Sequence, residues 1–193
     1  MELQHINVKL HLKNSGVADL EPLISVFHDW VKEQSCEEIL IDVADYRHVP
    51  GGPGIILIGH EADFSLDEGD RHLGVRYNRK APLPGSNQSR FRQALKAALA
   101  TCNKLEADPR LSGNLNLECQ DIELFINDRL LAPNDPSTHH LVIPEIQQFY
   151  DDLFGKKNYL INHQEDPRKL FSVLVHLFQP INRANLLKKF AAS

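Results

Sequence analysis

The sequence predicts an α+β fold, in which a mainly antiparallel sheet carries helices packed on one of its faces. Three observations predict this class. Residues 5–13 alternate between apolar and polar side chains, which is typical of a strand with one buried face. Residues 20–31 repeat apolar side chains at helical spacing. Three further strand-like segments then follow one another without an intervening helix.

The length and composition favour one domain. The chain has 193 residues, of which 42% are hydrophobic and 24% charged, as in ordinary soluble globular proteins. A chain of this length buries roughly 70% of the surface that its unfolded form exposes, so it needs no disulfide or metal to hold a core. We predict a single α+β domain over residues 1–193, or else two halves, 1–110 and 111–193, packed as one unit.

The first half is predicted to have the ferredoxin-like order β-α-β-β-β-α. The first strand places Ile6, Val8, Leu10 and Leu12 on its buried face. The helix that follows is predicted to begin at an Asp19 cap, with Pro22 in its first turn, and to end near Gln34.

The remaining strands of this half are predicted at 37–47, 55–64 and 71–80. The glycine- and proline-rich segment from Pro50 to Gly54 is predicted to be a turn that needs positive φ angles. A second helix is predicted to start at Ser86 or Asn87. Its inner face has six members: Phe91, Leu95, Ala98, Leu99, Cys102 and Leu105.

The second half is predicted to complete the sheet or to cover it. A hairpin is expected to turn at Asn127–Asp128, and a helix that Pro144 interrupts is expected to end at Gly155. The near-continuous apolar run at 169–178 predicts a strand covered on both faces. Residues 182–193 are predicted to form a last helical turn or a frayed end. The sequence shows no convincing internal repeat.

Charge and cysteine content restrict the partners. The net charge of −5 argues against general binding to nucleic acid, which requires a basic face. The three cysteines are odd in number and widely spaced, which indicates thiols in a reducing compartment. The first residues do not form a secretory signal, and no run reaches the ~20 apolar residues of a membrane span. A cytoplasmic protein with no nucleic-acid or membrane partner is predicted.

Several catalytic and nucleotide-binding motifs are missing from the sequence. His60-Glu61 begins like a zinc-protease motif, but Phe64 occupies the position of the second histidine. There is no G-x-S-x-G nucleophile elbow, no G-x-G-x-x-G fingerprint and no P-loop. No cofactor is identified from the sequence.

The strongest candidate site is predicted on a hairpin that pairs the strands predicted at 55–64 and 71–80, with its loop centred on Asp67–Glu68. In that register Ile56, Ile58 and His60 lie on the apolar face that supports the helices. Ile55 and Leu57 lie on the opposite face, where they need a cover. Either the second half of the chain or a second subunit could supply that cover, and the second alternative predicts a homodimer.

Five polar side chains share the opposite face in this register: Glu61, Asp63, His72, Arg76 and Asn78. Two carboxylates with a histidine can ligate a divalent metal, or can transfer protons as general acid and base. A metal site, if there is one, is therefore predicted to use Glu61, Asp63 and His72. The alternative is an ordinary solvated strand face with ion pairs, which has the same composition.

A basic segment follows directly, around the start of the second helix. Arg79, Lys80, Arg90 and Arg92 lie there, close to Arg76. Helix N-termini favour anions, so these side chains are predicted to bind a small anionic ligand. The predicted ligand-binding set thus comprises Glu61, Asp63, His72, Arg76, Asn78, Arg79, Lys80 and Arg90.

Two functional hypotheses follow from these observations. The first is a non-catalytic module that binds a small anionic ligand or a protein partner. The second is a metal-dependent or acid–base hydrolase that uses the Glu/Asp/His cluster of the hairpin. The hydrolase requires the candidate groups to converge in a concave site, whereas the binding module requires only a basic surface and an apolar patch.

Overall fold

The computed structural model describes residues 1–13, 19–69, 72–113 and 115–191, and within them it confirms the α+β class. These residues form one eight-stranded sheet and four helices. The strands are β1 (Ile6–His11), β2 (Leu40–Asp45), β3 (Ile55–Gly59), β4 (Ala62–Asp67), β5 (Gly74–Arg79), β6 (Asp121–Ile126), β7 (Tyr159–His163) and β8 (Phe171–Leu177). The helices are α1 (Glu21–Glu33), α2 (Asn87–Ala107), α3 (Pro136–Phe154) and α4 (Arg183–Ala191).

The sheet has the order β2-β3-β4-β5-β1-β6-β8-β7, and every neighbouring pair is antiparallel. Each half of the chain follows the same plan. Its first strand pairs with its last strand, as β1 does with β5 and β6 does with β8. The two first strands, β1 and β6, then pair with each other and join the halves. The second half therefore completes the sheet.

The two faces of the sheet differ in composition. One face supports the helices and carries the buried apolar side chains of β1, β3, β4, β5, β6 and β8, such as Val8, Leu57, Tyr77, Leu124 and Val173. We call the other one the open face. Its central members alternate with these core residues: Asn7, Lys9, His11, Ile56, Ile58, Asp63, Ser65, Asp67, Arg76, Asn78, Asp121, Glu123, Phe125, Ser172, Leu174 and His176.

Several predicted elements are confirmed. Helix α1 ends where expected, because Gln34 adopts the left-handed conformation that terminates a helix. Its start differs slightly from the prediction, because Leu20 and not Asp19 occupies the N-cap position. The Asp19 carboxylate still accepts a hydrogen bond from the Glu21 N–H. Helix α2 is capped by Ser86, whose side chain accepts the Ser89 N–H, and its predicted inner face is buried.

The predicted single strand over residues 55–64 is wrong. A tight turn at His60-Glu61 divides it into β3 and β4, which pair with each other. The turn requires Gly59, because a Cβ atom there would lie 2.4 Å from the Ala62 carbonyl oxygen. The first half consequently contains one strand more than predicted.

This turn also reverses the predicted faces of β3. Ile55 and Leu57 are fully buried against the helices, whereas Ile56 and Ile58 are half-buried on the open face. His60, predicted on the apolar face, is exposed in the turn. The prediction was wrong because a two-residue turn restarts the alternation of side chains with the opposite parity.

The second half also differs from its prediction. Residues 127–135 form a loop instead of the second arm of a hairpin, because β6 pairs with β1 and β8. Strand β7 is an additional element that the sequence pattern did not predict. Helix α3 continues through Pro144, since buried side chains on both sides of it, Val142 and Ile146, hold the helix on the core. Strand β8 buries apolar side chains on one face only, because Leu174 and His176 on its other face are half-buried. Among the described residues, no helix is long and apolar enough to span a bilayer.

Candidate functional site

A cleft opens on the helix-bearing side of the sheet, between helix α2 and the loop that joins α1 to β2. We call it the helix cleft. Its volume is about 370 Å³, and Phe64 of β4 and Phe190 of α4 are among its apolar walls. Both rings come from elements remote in sequence from α2. Folding of the whole chain is therefore needed to form the cleft.

Helix α2 supplies one long wall of the helix cleft. Arg92, Lys96, Ala97, Ala100 and Lys104 follow one another at helical spacing and line it. The opposite side of the same helix holds the buried residues that anchor α2 on β1 and β5. The two alanines leave room that larger side chains would fill, so the α2 sequence keeps this wall of the cleft open.

The loop from Ser35 to Glu38 supplies the facing wall, and Lys104 holds it in place. The Lys104 ammonium donates to the Ser35 carbonyl oxygen and lies 2.8 Å from the Ser35 hydroxyl. It also lies 4.4 Å from the centre of the Trp30 ring, in a cation–π contact. Burial raises the pKa of the Cys36 thiol more than nearby Lys104 lowers it, so this wall carries a neutral thiol.

A polar network lies behind the cleft. The Gln93 amide donates to the Tyr77 hydroxyl at 2.8 Å, and that hydroxyl donates to Glu38 at 3.3 Å. Burial raises the pKa of Tyr77 to about 12, although Gln93 and Arg79 oppose the shift. Tyr77 is therefore a neutral hydrogen-bonding group at physiological pH.

Arg92 differs from the other cations of the helix cleft. Lys96 pairs with Glu37 at 3.0 Å, and Lys104 holds the loop. Arg92 lies over the Phe190 ring, 5.6 Å from its centre. In the described part of the chain, no carboxylate forms an ion pair with Arg92. A half-buried guanidinium beside an apolar cleft thus lacks a counter-charge from those residues.

The predicted residues of the β3–β4 turn are engaged with one another. Arg79, whose side chain is 8% exposed, pairs with Glu38 at 3.2 Å and with Glu61 at 2.9 Å. Lys80 pairs with Asp63 at 2.7 Å. These ion pairs bring four of the predicted residues together at one end of the sheet, and they neutralise the two predicted cations.

The remaining predicted cations, Arg90 and Arg76, lie far apart in the fold. Arg90 is buried, pairs with Glu2 at 2.6 Å and donates to the Leu83 carbonyl oxygen at 2.7 Å. Arg76 is on the open face, 3.3 Å from Asp67 and stacked 4.6 Å from the Phe125 ring centre. The structure therefore divides the cations of the predicted basic segment between different parts of the fold.

Asp63 and Asn78 lie on the open face with Arg76, and His72 lies close to His11 of the same face. The His72 ring lies 5.6 Å from the His11 ring. Glu123 lies beside His11, with its carboxylate 3.1 Å from the His11 ring nitrogen, and it also accepts from the Ser172 hydroxyl at 3.2 Å. His11, His72, Glu123 and Ser172 line a cavity of about 430 Å³.

A buried ion pair lies at the centre of the open face. Lys9 and Asp67 are 2.6 Å apart, and their side chains are 3% and 5% exposed. Burial opposes ionisation of Asp67, but the charge and hydrogen bond of Lys9, with Arg76, hold its pKa below the ordinary 3.8. Alternation along β1 predicted a solvent-exposed Lys9, and this prediction was wrong.

The groups of the predicted metal site are held separately. Glu61 belongs to the turn, Asp63 pairs with Lys80, and His72 lies beside His11. Within the described ranges, no group of three or more His, Cys, Asp or Glu side chains is arranged to hold a metal ion. The single-strand prediction had aligned Glu61 with Asp63, and the turn removes that alignment.

Sequence reasoning missed most of both cavities. His11, Glu123 and Ser172 come from three strands whose pairing the sequence does not reveal. Arg92 belongs to the predicted basic segment, but nothing in the sequence distinguishes it from Arg90. Helical spacing could have distinguished the two arginines, because Arg92 follows the buried Phe91 by one residue and therefore lies off the inner face of α2.

Comparison with models of known families and with curated proteins finds no match to this chain.

Proposed function

We propose that this chain is a binding module for a small anionic ligand with an apolar body, held in the helix cleft. One observation carries the proposal: Arg92 borders an apolar cleft and has no carboxylate partner among the described residues. The volume of about 370 Å³ is within the range of small-molecule sites.

The chemistry of the cleft favours such a ligand. A guanidinium presents several N–H donors in a planar fork that matches a carboxylate, and partial burial strengthens the contact. Phe64, Phe190 and the two alanines offer no hydrogen bonds, so the rest of the ligand is expected to be apolar. Lys96 and Glu37 at the rim compensate each other.

Titration calorimetry with octanoate and with octanol tests this proposal. The two probes have the same chain length and differ in charge. We expect wild-type protein to bind octanoate and to bind octanol at least tenfold more weakly, because only the carboxylate pairs with Arg92. Arg92→Gln is expected to weaken octanoate binding about tenfold or more, since a hydrogen bond to a charged group contributes about 1.5–3 kcal/mol.

Arg129→Gln is the matched control, because Arg129 lies in the 127–135 loop and donates to the Arg168 carbonyl oxygen. Its octanoate affinity is expected to equal that of wild type. Equal binding of the two probes, or unchanged octanoate binding by Arg92→Gln, would contradict the proposal.

We also propose that the module is cytoplasmic and works as a homodimer. The three cysteines, Cys36, Cys102 and Cys119, are free thiols, which supports a reducing compartment.

A hydrolase remains the second proposal, relocated to the open-face cavity. The observation that favours it is the array in which Glu123 contacts both His11 and Ser172 beside His72. A carboxylate that orients an imidazole supports general-base catalysis. We expect His11→Gln and Glu123→Gln to abolish p-nitrophenyl acetate hydrolysis, measured with and without added Zn²⁺. His28→Gln on the exposed side of α1 is the control, and equal rates in all variants would rule the hydrolase out.

A further inference from the structure

We propose that Cys102 and Cys119 are a site of oxidative modification by hydrogen peroxide, at which Cys119 reacts first and a reversible disulfide to Cys102 follows. Neither the helix cleft nor the open-face cavity contains these two side chains. The proposal is therefore independent of both proposed functions.

The two thiols come from different halves of the chain and meet in the core. Cys102 is fully buried on the inner side of helix α2, and Cys119 lies two residues before strand β6 and is 2% exposed. Their side chains are hydrogen-bonded to each other. Two sulfurs in such contact need only a short approach to reach the disulfide bond length of about 2.05 Å.

Arg183 of helix α4 holds the two segments that carry the thiols. Its guanidinium donates to the Asn103 amide oxygen of α2 at 2.9 Å. It also donates to the carbonyl oxygen of Leu117. Asn103 directly follows one of the cysteines, and Leu117 lies two residues before the other. One side chain therefore fixes the position of both thiol-bearing segments.

The surroundings make the two thiols unequal. The hydrogen bond with Cys102 and the charge of Arg183 lower the pKa of the Cys119 thiol below its ordinary 9.0, although burial opposes this shift. The same hydrogen bond and burial raise the pKa of the Cys102 thiol. Because the thiolate is the nucleophilic form of cysteine and a neighbouring cation favours it, Cys119 is expected to react first. Cys102 then supplies the second sulfur.

Arg183 also separates the thiol pair from a surface pocket. The pocket has a volume of about 830 Å³, and its lining includes Asn103, Leu117 and Arg183. The Arg183 side chain is 12% exposed and hydrogen-bonds to Cys119 on its inner side. Movement of this one side chain would therefore open the Cys119 sulfur to a small uncharged oxidant such as hydrogen peroxide.

The reaction balances with peroxide as the oxidant. The Cys119 thiolate attacks one peroxide oxygen, the O–O bond breaks, and hydroxide leaves and takes up a proton, which gives a sulfenic acid and water. The Cys102 sulfur then attacks the sulfenic sulfur, and the S–O bond breaks as the S–S bond forms. The departing hydroxide takes the Cys102 proton as a second water. The two thiols lose two electrons in total, and one peroxide is reduced.

Peptide mass mapping of the full chain tests the site. The folded protein is treated with hydrogen peroxide, then unfolded and alkylated with iodoacetamide. We expect a disulfide between Cys102 and Cys119 that dithiothreitol reverses. Cys36 is the internal control, because it is more exposed than either of the two but carries a neutral thiol outside the pair. Oxidation of Cys36 ahead of Cys119, or two buried thiols that stay reduced while glutathione in the same solution is oxidised, would overturn the proposal.

Two serine variants test the order of the reaction. Cys102→Ser keeps a hydroxyl donor beside Cys119 and removes the second sulfur, so peroxide is expected to leave a Cys119 sulfenic acid, which dimedone traps when the protein is unfolded. Cys119→Ser is expected to leave Cys102 as an unmodified thiol under the same treatment. Equal dimedone labelling of the remaining buried cysteine in both variants would contradict the order assigned to the two thiols.

Discussion

Asp67→Asn is expected to lower the free energy of unfolding by about 3–5 kcal/mol at pH 7, the usual cost of breaking a buried ion pair from one side. The substitution leaves the Lys9 ammonium, whose side chain is 3% exposed, without its 2.6 Å partner. Arg76 also loses its contact with the Asp67 carboxylate. Urea denaturation of both proteins measures the difference.

Two controls separate the charge effect from packing. The double variant Lys9→Met/Asp67→Leu removes both charges and is expected to lose less stability than Asp67→Asn, because no unpaired charge remains buried. Glu21→Gln breaks a pair with Arg47 in which Glu21 is 72% exposed, and it is expected to cost less than about 1 kcal/mol. An Asp67→Asn protein as stable as Glu21→Gln would contradict the prediction.

The same ion pair predicts a pH dependence. The pKa of Asp67 is lowered in the folded protein from its ordinary 3.8. Asp67 therefore contributes its full stabilisation above pH 3.8, and this is lost as the pH falls through the lower folded-state pKa. The stability difference between wild type and Asp67→Asn is expected to shrink in that acidic range. A difference that stays constant in acid would contradict this reading.

Gly54→Ala is expected to destabilise the fold by about 2–5 kcal/mol. Gly54 has a φ of +67°, and an added Cβ would lie 2.0 Å from the Leu66 carbonyl oxygen of β4. The left-handed conformation costs alanine about 1–2 kcal/mol. Displacing the neighbouring strand adds about 1–3 kcal/mol, as overpacking does elsewhere.

Gly51→Ala is the matched control from the same turn. Gly51 has nearly the same φ, +66°, but nothing lies within 4 Å of its added Cβ. It is expected to lose only the conformational cost of about 1–2 kcal/mol. The difference between the two thermal denaturation midpoints measures the contact with β4, and equal midpoints would show that this contact is unimportant.

Local patterns predicted the elements whose stability comes from one well-defined apolar face. Strand β1 and helices α1 and α2 have such faces, and their predicted positions agree with the structure. The turn at His60-Glu61 escaped prediction because it lacks proline and the Asn-Gly pair, and because apolar residues flank it on both sides. Only Gly59 marked it, and one glycine in a strand pattern has several explanations.

The candidate site was harder to predict because a sequence shows charges without their partners. Arg79 is neutralised by Glu38 and Glu61, and Arg90 by Glu2, which is distant in the chain. Arg92 was within the predicted basic segment, yet its place beside Phe190 depends on how α4 returns to α2. Long-range packing decides which of these cations has a carboxylate partner.

The pairing of β1 with β6 has a consequence for synthesis on the ribosome. Residues such as Ile6 and Ile126 are neighbours in the sheet although more than a hundred residues separate them in the chain. Until β6 emerges, a first half that has already folded exposes the backbone of β1 as a free sheet edge. Pairing between strands so distant in the chain is slow to form. The speed of translation then determines how long the free edge of β1 in a nascent chain is exposed to other unfolded chains.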